Sequence, residues 1–124
     1  MVLFMSKKVL IVEDYADVRA MMKFFVKRQG YQVIEAGDGY EAIEKVKEHH
    51  PDLILMDIAM PIMNGVTATE IIRDFYDAEK IPIIALTAYG ESYQYRAIKA
   101  GGDEVINKPI EFNKIAPLLE HYLH

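Results

Sequence analysis

Residues 53–57 read Leu53-Ile54-Leu55-Met56-Asp57, so four consecutive apolar side chains lead to a carboxylate. A segment that is apolar at every position, and not only at alternate positions, is typical of a strand buried on both faces, as in a parallel sheet. Comparable apolar runs occupy residues 9–12 and 83–86. Weaker strand patterns lie at residues 32–35 and 104–107, which completes a set of five predicted strands.

Segments with helical periodicity fill the intervals between these strands. Asp38 and Glu41 can form a capping box before the second helix, while Asn64 and Ser92 can cap the third and the fourth. The last helix contains Pro117, which must lie in the first turn or kink the helix. The first helix carries five apolar residues at helical spacing, which are expected to face the core: Val18, Met21, Met22, Phe25 and Val26.

Strands that alternate with helices in this way predict an α/β fold with a doubly wound parallel sheet and helices on both faces. In open sheets of this kind, ligands bind outside the carboxyl ends of the strands, where the strand order reverses. The residues that follow the strands are therefore the first place to look for a functional site.

Composition limits the classes of protein to consider. The chain has 124 residues, a net charge of −5 and no cysteine. The acidic balance argues against a nucleic-acid-binding surface. The absence of cysteine excludes disulfides, thiolate metal sites and a cysteine nucleophile, and it fits a cytoplasmic location. No apolar run approaches the ~18 residues of a membrane-spanning helix. Residues 1–6 are predicted to be a flexible lead, and residues 7–124 to form one domain.

Charged and hydroxyl side chains stand where four of the predicted strands end. Glu13 and Asp14 follow the first strand, Asp57 and Thr87 close the third and the fourth, and Lys108 follows the fifth. Three carboxylates at one edge of a sheet repel one another, and more strongly as water is excluded. A bound cation would relieve this repulsion, and carboxylate oxygens are suited to Mg²⁺.

Asp57 is the candidate for both a metal ligand and a nucleophile that attacks phosphorus, as carboxylates do in aspartyl-phosphate enzymes. A transferring phosphoryl group carries charge on three equatorial oxygens. The metal could hold one oxygen, Lys108 a second, and the Thr87 hydroxyl with nearby backbone N–H groups the third. Each residue alone is explained by turn, capping or strand chemistry. Their combination at one edge favours a functional site.

Five segments at the expected spacing now identify a family that the sequence resembles, the receiver domain of two-component response regulators. In length the chain is similar to the single-domain chemotaxis members. The segments that carry the resemblance are residues 9–14 (VLIVED), 51–57 (PDLILMD), 60–65 (MPIMNG), 86–88 (LTA) and 108–109 (KP).

The resemblance implies a flavodoxin-like (βα)5 fold with strand order 2-1-3-4-5. It implies that Asp57 accepts a phosphoryl group from a phosphohistidine of a sensor histidine kinase or a phosphotransfer protein. The phosphorylated chain would then signal to a downstream target protein or output domain, in some members as a dimer. A receiver of this kind modifies only itself, so it is not expected to be an enzyme in the ordinary sense.

The resemblance also implies a role for each site residue. Thr87 and Lys108 would hold phosphoryl oxygens, and the Lys108-Pro109 peptide bond would be cis. The cofactor would be Mg²⁺ or Mn²⁺, with Glu13 acting through water. The implied metal ligands are Glu13, Asp14, Asp57 and the backbone carbonyl of Ala59.

The sequence departs from the family pattern on its fifth strand. Val105 stands where many receivers have an aromatic residue or histidine, so the usual coupling of that ring to the threonine is not expected here. We hypothesise that Tyr89, two residues past Thr87, shades the site instead. The sequence also clusters aromatic residues and an arginine around the fourth helix, where they either form an interface or pack on the sheet: Tyr89, Tyr93, Tyr95 and Arg96.

The sequence leaves three alternatives to a stand-alone receiver. The chain could be a receiver excised from a multi-domain regulator. It could be an aspartyl-phosphate phosphatase of the haloacid dehalogenase type, but that class expects a second aspartate where Ala59 stands. It could be a flavodoxin-like flavin carrier, but Glu13 and Asp14 would repel a flavin phosphate.

Overall fold

A computed structural model describes residues 6–75, 81–88 and 90–124. Within these residues, five parallel strands form a sheet with the order 2-1-3-4-5, which confirms the predicted doubly wound fold. The strands agree with the predicted segments to within one residue at each end. They are β1 (Lys8–Val12), β2 (Gln32–Ala36), β3 (Leu53–Asp57), β4 (Ile83–Thr87) and β5 (Glu104–Asn107).

A helix follows each strand. The helices are α1 (Ala16–Arg28), α2 (Gly39–His49), α3 (Gly65–Phe75), α4 (Glu91–Ala100) and α5 (Phe112–Leu123). No helix in the described part of the chain is both long enough and apolar enough to cross a membrane.

The predicted helix starts are correct for two helices and wrong for one. Asp38 caps α2 by accepting a 2.9 Å hydrogen bond from the Glu41 N–H. Asn64 accepts a 2.9 Å bond from the N–H of Thr67 at the start of α3. The predicted Ser92 cap is wrong because α4 begins at Glu91, so that Ser92 lies inside the helix. The carbonyl of Gly90 already serves as the first acceptor of that helix.

The remaining helix predictions are partly corrected. Pro117 is the sixth residue of α5 and therefore lies beyond the first turn. In α1, Met22 and Val26 are buried as predicted, and they pack against α5. Val18 and Met21 are exposed, at 36% and 57% of their surface, so the prediction that they face the core is wrong. Only part of the apolar surface of α1 is therefore buried against the core.

The sheet separates two apolar clusters because successive strand residues point to opposite faces. Leu10 and Ile54 belong to the cluster beneath α2 and α3. Ile11 and Leu55 belong to the cluster beneath α1 and α5. All five residues of β3 are buried, so the strand that ends in Asp57 is fixed from both sides.

Candidate functional site

The carboxyl ends of β1, β3, β4 and β5 place the predicted site residues along one edge of the sheet. Asp57 and Thr87 are the last residues of β3 and β4. Glu13 follows β1, and its N–H donates a 3.0 Å hydrogen bond to the Ala36 carbonyl. The side chain of each of these three residues is almost fully buried, with exposures of 0–1%. The buried edge is therefore polar, although both faces of the sheet are apolar.

Lys108 is the first residue after β5, and its side chain extends to the same edge of the sheet. Its Nζ lies 3.0 Å from Asp57 Oδ1 and 3.5 Å from Glu13 Oε1. The N–H of Lys108 donates a 2.8 Å bond to the Thr87 carbonyl, which fixes the start of its loop. The Lys108-Pro109 peptide bond is cis, as the resemblance implied. Residues from the two ends of the chain thus meet at Asp57.

Glu13, Asp14 and Asp57 form the acidic pocket. One carboxylate oxygen from each lies within 4.8 Å of the others. With three carboxylates and the ammonium of Lys108 ionised, the pocket has a net charge of −2, which matches a divalent cation. Carboxylate oxygens are also the donor type that Mg²⁺ and Mn²⁺ prefer. The residues present therefore fit the metal that the sequence predicted.

Burial governs how these groups titrate. It raises the pKa of Asp57 above the ordinary value, although the hydrogen bond and charge of Lys108 act in the opposite direction. Burial also raises the pKa of Glu13, and the charge of Asp57 adds to that shift. Burial lowers the pKa of Lys108, but its hydrogen bond to Asp57 and their opposite charges outweigh this, so that pKa is raised. Burial thus disfavours the charged forms of Asp57 and Glu13, and a bound cation would offset that cost.

The loop after β3 holds the carboxylate from the other side. The Ala59 N–H lies 3.3 Å from Asp57 Oδ1. The Ile58 N–H donates to the Leu86 carbonyl, and the Ile58 carbonyl accepts a bond from Gly65. Ala59 is therefore close enough to Asp57 for its carbonyl to be considered as a ligand, a role that stays a prediction.

Two further predictions can be placed in the fold. Val105 is half-buried and packs in a small cluster with Ile58 and Ala97. Tyr93 packs against the same cluster, whereas Tyr95 is 65% exposed, so the aromatic residues of α4 divide between packing and surface. The hypothesis about Tyr89 concerns a residue outside the described ranges.

Sequence reasoning missed a surface beside the site. Tyr15, Val18, Met21 and Phe24 recur at every third position of α1 or its N-cap, and all are exposed. We call these four residues the α1 stripe. Three of them line a 280 Å³ cavity together with Glu13 and Lys108. The signal was present in the sequence, because the apolar residues of this helix are too numerous for one buried face.

Comparison with known proteins indicates a single family. The family model described as response regulator receiver domain matches residues 9–120. The polar-differentiation response regulator DivK of Brucella ovis is 37% identical over 120 residues, which cover 96% of this chain and 98% of DivK.

Solved structures give the same result. The receiver domain of the sensor histidine kinase PA1611 from Pseudomonas aeruginosa, which has a magnesium ion coordinated in its active site cleft, superposes with a TM-score of 0.87. It is 28% identical, and the match covers 95% of this chain and 98% of that one. The receiver domain of Ssk1 from Saccharomyces cerevisiae, crystallised with the histidine phosphotransfer protein Ypd1, has a TM-score of 0.87 and 26% identity. That match covers 94% of this chain and 88% of the other.

Proposed function

This chain belongs to the response regulator receiver domain family of two-component signalling, and we propose that Asp57 is its phosphoacceptor. The observation that carries the proposal is the Asp57 carboxylate, which is 1% exposed, lies 3.0 Å from Lys108 Nζ, and shares an acidic pocket with Glu13 and Asp14. The donor would be a phosphohistidine on a sensor histidine kinase or a phosphotransfer protein.

The transfer balances without a further reactant. An oxygen of the Asp57 carboxylate forms a bond to phosphorus while the bond from phosphorus to the donor imidazole nitrogen breaks. The imidazole leaves with the electron pair and takes up a proton. Lys108 would hold one phosphoryl oxygen, a role that the contact of its Nζ with the Asp57 carboxylate supports. The Thr87 hydroxyl would hold another oxygen.

Mg²⁺ or Mn²⁺ in the acidic pocket would neutralise the charge of the phosphoryl oxygens. Its ligands would be Asp14, Asp57 and the Ala59 carbonyl, with Glu13 bound through water. Lys108 supplies a fixed positive charge on the other side of Asp57. With all three carboxylates ionised, the charge of −2 that Lys108 leaves in the pocket would be balanced by the divalent cation.

A donor protein must cover the carboxyl edge of the sheet to reach Asp57. The α1 stripe offers exposed apolar surface at that edge, next to Glu13 and Lys108. The related receiver of Ssk1 was crystallised with a phosphotransfer protein. We propose that the donor of this chain docks in part on the α1 stripe, and that the two meet in the cytoplasm.

Phosphorylation would act as a conformational switch. The new charge on Asp57 would shift the population between two states of the domain, and one of these would bind the downstream target. The chain would catalyse only its own phosphorylation and dephosphorylation, so we do not class it as an ordinary enzyme. The same chemistry would serve a receiver that is part of a multi-domain regulator.

Acetyl phosphate labelling followed by intact mass measurement tests this proposal. The wild type should gain ~80 Da, the mass of one phosphoryl group, only when Mg²⁺ is present. Asp57→Asn should gain nothing, whereas Asp74→Asn, the same change at an exposed position of α3, should be labelled like the wild type. Labelling that persists in Asp57→Asn, or that is absent from the wild type, would contradict the proposal.

A further inference from the structure

Ile62, in the loop between β3 and α3, has an unfavourable backbone conformation. Its φ angle is +71°. It is the central residue of a γ-turn, in which the Met63 N–H donates a 2.8 Å hydrogen bond to the Pro61 carbonyl. Positive φ suits glycine, asparagine or aspartate, and it is least favourable for a β-branched side chain. Isoleucine is therefore a poor choice for the backbone of this turn.

The rest of the domain does not compensate for this choice. The Ile62 side chain is 79% exposed, the highest exposure of any large apolar residue in the described ranges. A single exposed apolar residue is ordinary, but one at positive φ is not. The other described non-glycine residue with positive φ is His50, which is polar and caps the end of α2. Among the residues that the structure describes, Ile62 alone combines backbone strain with an exposed apolar side chain.

The base of the loop is fixed, so the turn is presented in a defined place. Ile58 is bonded to β4 and to Gly65, as described above. Met63 packs so closely on the start of α2 that a Cβ on Gly39 would lie 2.7 Å from its Cγ. Ile62 thus stands five residues after Asp57 on the α2 and α3 side of the site. The α1 stripe lies on the opposite side.

We propose that Ile62 is a specificity-determining contact for the protein that donates the phosphoryl group, and that it packs on an apolar surface of that donor. The inference rests on the proposed function, because it assumes that a protein covers Asp57. Burial of Ile62 in the complex would supply the favourable contact that the free domain lacks. A small donor such as acetyl phosphate would not use this contact.

The test compares two donors on Ile62→Asn and Ile62→Gly. The protein donor is chosen as the one that labels the wild type fastest among the phosphorylated histidine kinases and phosphotransfer proteins of the source organism. We expect kcat/KM with that donor to fall by about tenfold or more, the loss typical of one buried apolar side chain. Labelling by acetyl phosphate should stay within about twofold, and the Tm of Ile62→Asn should rise.

Ile98→Asn is the matched control, because Ile98 is an exposed isoleucine near the far end of α4. It should leave transfer from the protein donor unchanged. Three results would overturn the inference and leave Asp57 as phosphoacceptor. The protein donor could label wild type and Ile62→Asn at the same rate, Ile62→Asn could be slowed equally with both donors, or its Tm could be lower than that of the wild type. Acetyl phosphate labelling of the wild type without labelling by any protein donor would also overturn the inference. Failure of acetyl phosphate to label the wild type would overturn the proposed function itself.

Discussion

Gly65→Ala should damage both the fold and the chemistry at Asp57. Gly65 is the first residue of α3, and its N–H donates a 3.0 Å bond to the Ile58 carbonyl. A Cβ at this position would lie 2.2 Å from the Asp57 carbonyl oxygen and 2.9 Å from Met56 Cγ. The oxygen belongs to the backbone of a buried strand, so it cannot rotate away as a flexible side chain could.

The size of the effect follows from that distance. An ordinary contact begins near 3.4 Å, so α3 and the end of β3 must separate by more than 1 Å. Overpacking of this kind costs about 1–3 kcal/mol or more, and we expect the upper part of that range because the Cβ is fixed rigidly to the helix and the oxygen belongs to the backbone of a buried strand. If the free energy of unfolding at Tm falls by about 3 kcal/mol, Tm should fall by about 12 °C for a domain of this size. A displacement of about 1 Å at a reacting group can slow its chemistry about 100-fold.

Thermal unfolding followed by circular dichroism measures the first effect, and the rate of acetyl phosphate labelling well below both midpoints measures the second. Gly37→Ala is the control, since its Cβ would lie 3.5 Å from Arg19 Nη1, an ordinary contact. A Tm of Gly65→Ala within about 2 °C of the wild type would refute the packing argument. A large fall in Tm with an unchanged labelling rate would refute the link between Gly65 and Asp57.

Three other perturbations have defined outcomes. Arg73→Lys should lower the free energy of unfolding by about 2 kcal/mol, because it removes the planar guanidinium whose Nε and Nη2 donate hydrogen bonds of 2.9 and 2.7 Å to the Gly101 carbonyl. An unchanged midpoint of urea unfolding would contradict this. Burial and Glu104 raise the pKa of Tyr122 to about 12, so the stabilisation from the neutral phenol is complete below about pH 10 and is lost as the pH rises toward 12. The wild type should therefore lose more stability than Tyr122→Phe over that interval, and parallel losses would exclude this contribution. Mg²⁺ at ten times its Kd should stabilise the wild type by about 1.4 kcal/mol, and an equal rise in the Tm of Asp14→Asn would speak against Asp14 as a ligand.

The parallel sheet could be predicted because its signal is local. Residues 53–56 are apolar at every position, and such a segment satisfies neither an amphipathic helix nor a half-exposed strand. The position of the site then follows from topology, since parallel strands bring their carboxyl ends to one edge. Glu13 and Lys108, 95 residues apart, could for this reason be assigned to the same site before any distance was known.

Features that depend on packing between elements could not be predicted in this way. Apolar periodicity in α1 did not reveal that Val18 and Met21 lie outside the face covered by α5. Ser92 has the chemistry of a cap, but the chain enters α4 two residues earlier at Gly90. The positive φ of Ile62 carries no sequence signal, because isoleucine is among the last residues expected there.

The division of the core by the sheet has a consequence for how such chains diverge. Met22 and Val26 pack only with the cluster under α1 and α5, whereas Ile72 packs with the cluster on the other face. Substitutions in separate clusters have nearly additive effects on stability, because they share no contacts. Mutations on the α1 side of the sheet therefore affect a different cluster from mutations on the side of α2 and α3. A change in packing on the α1 side can therefore be tolerated without a matching change around Ile72.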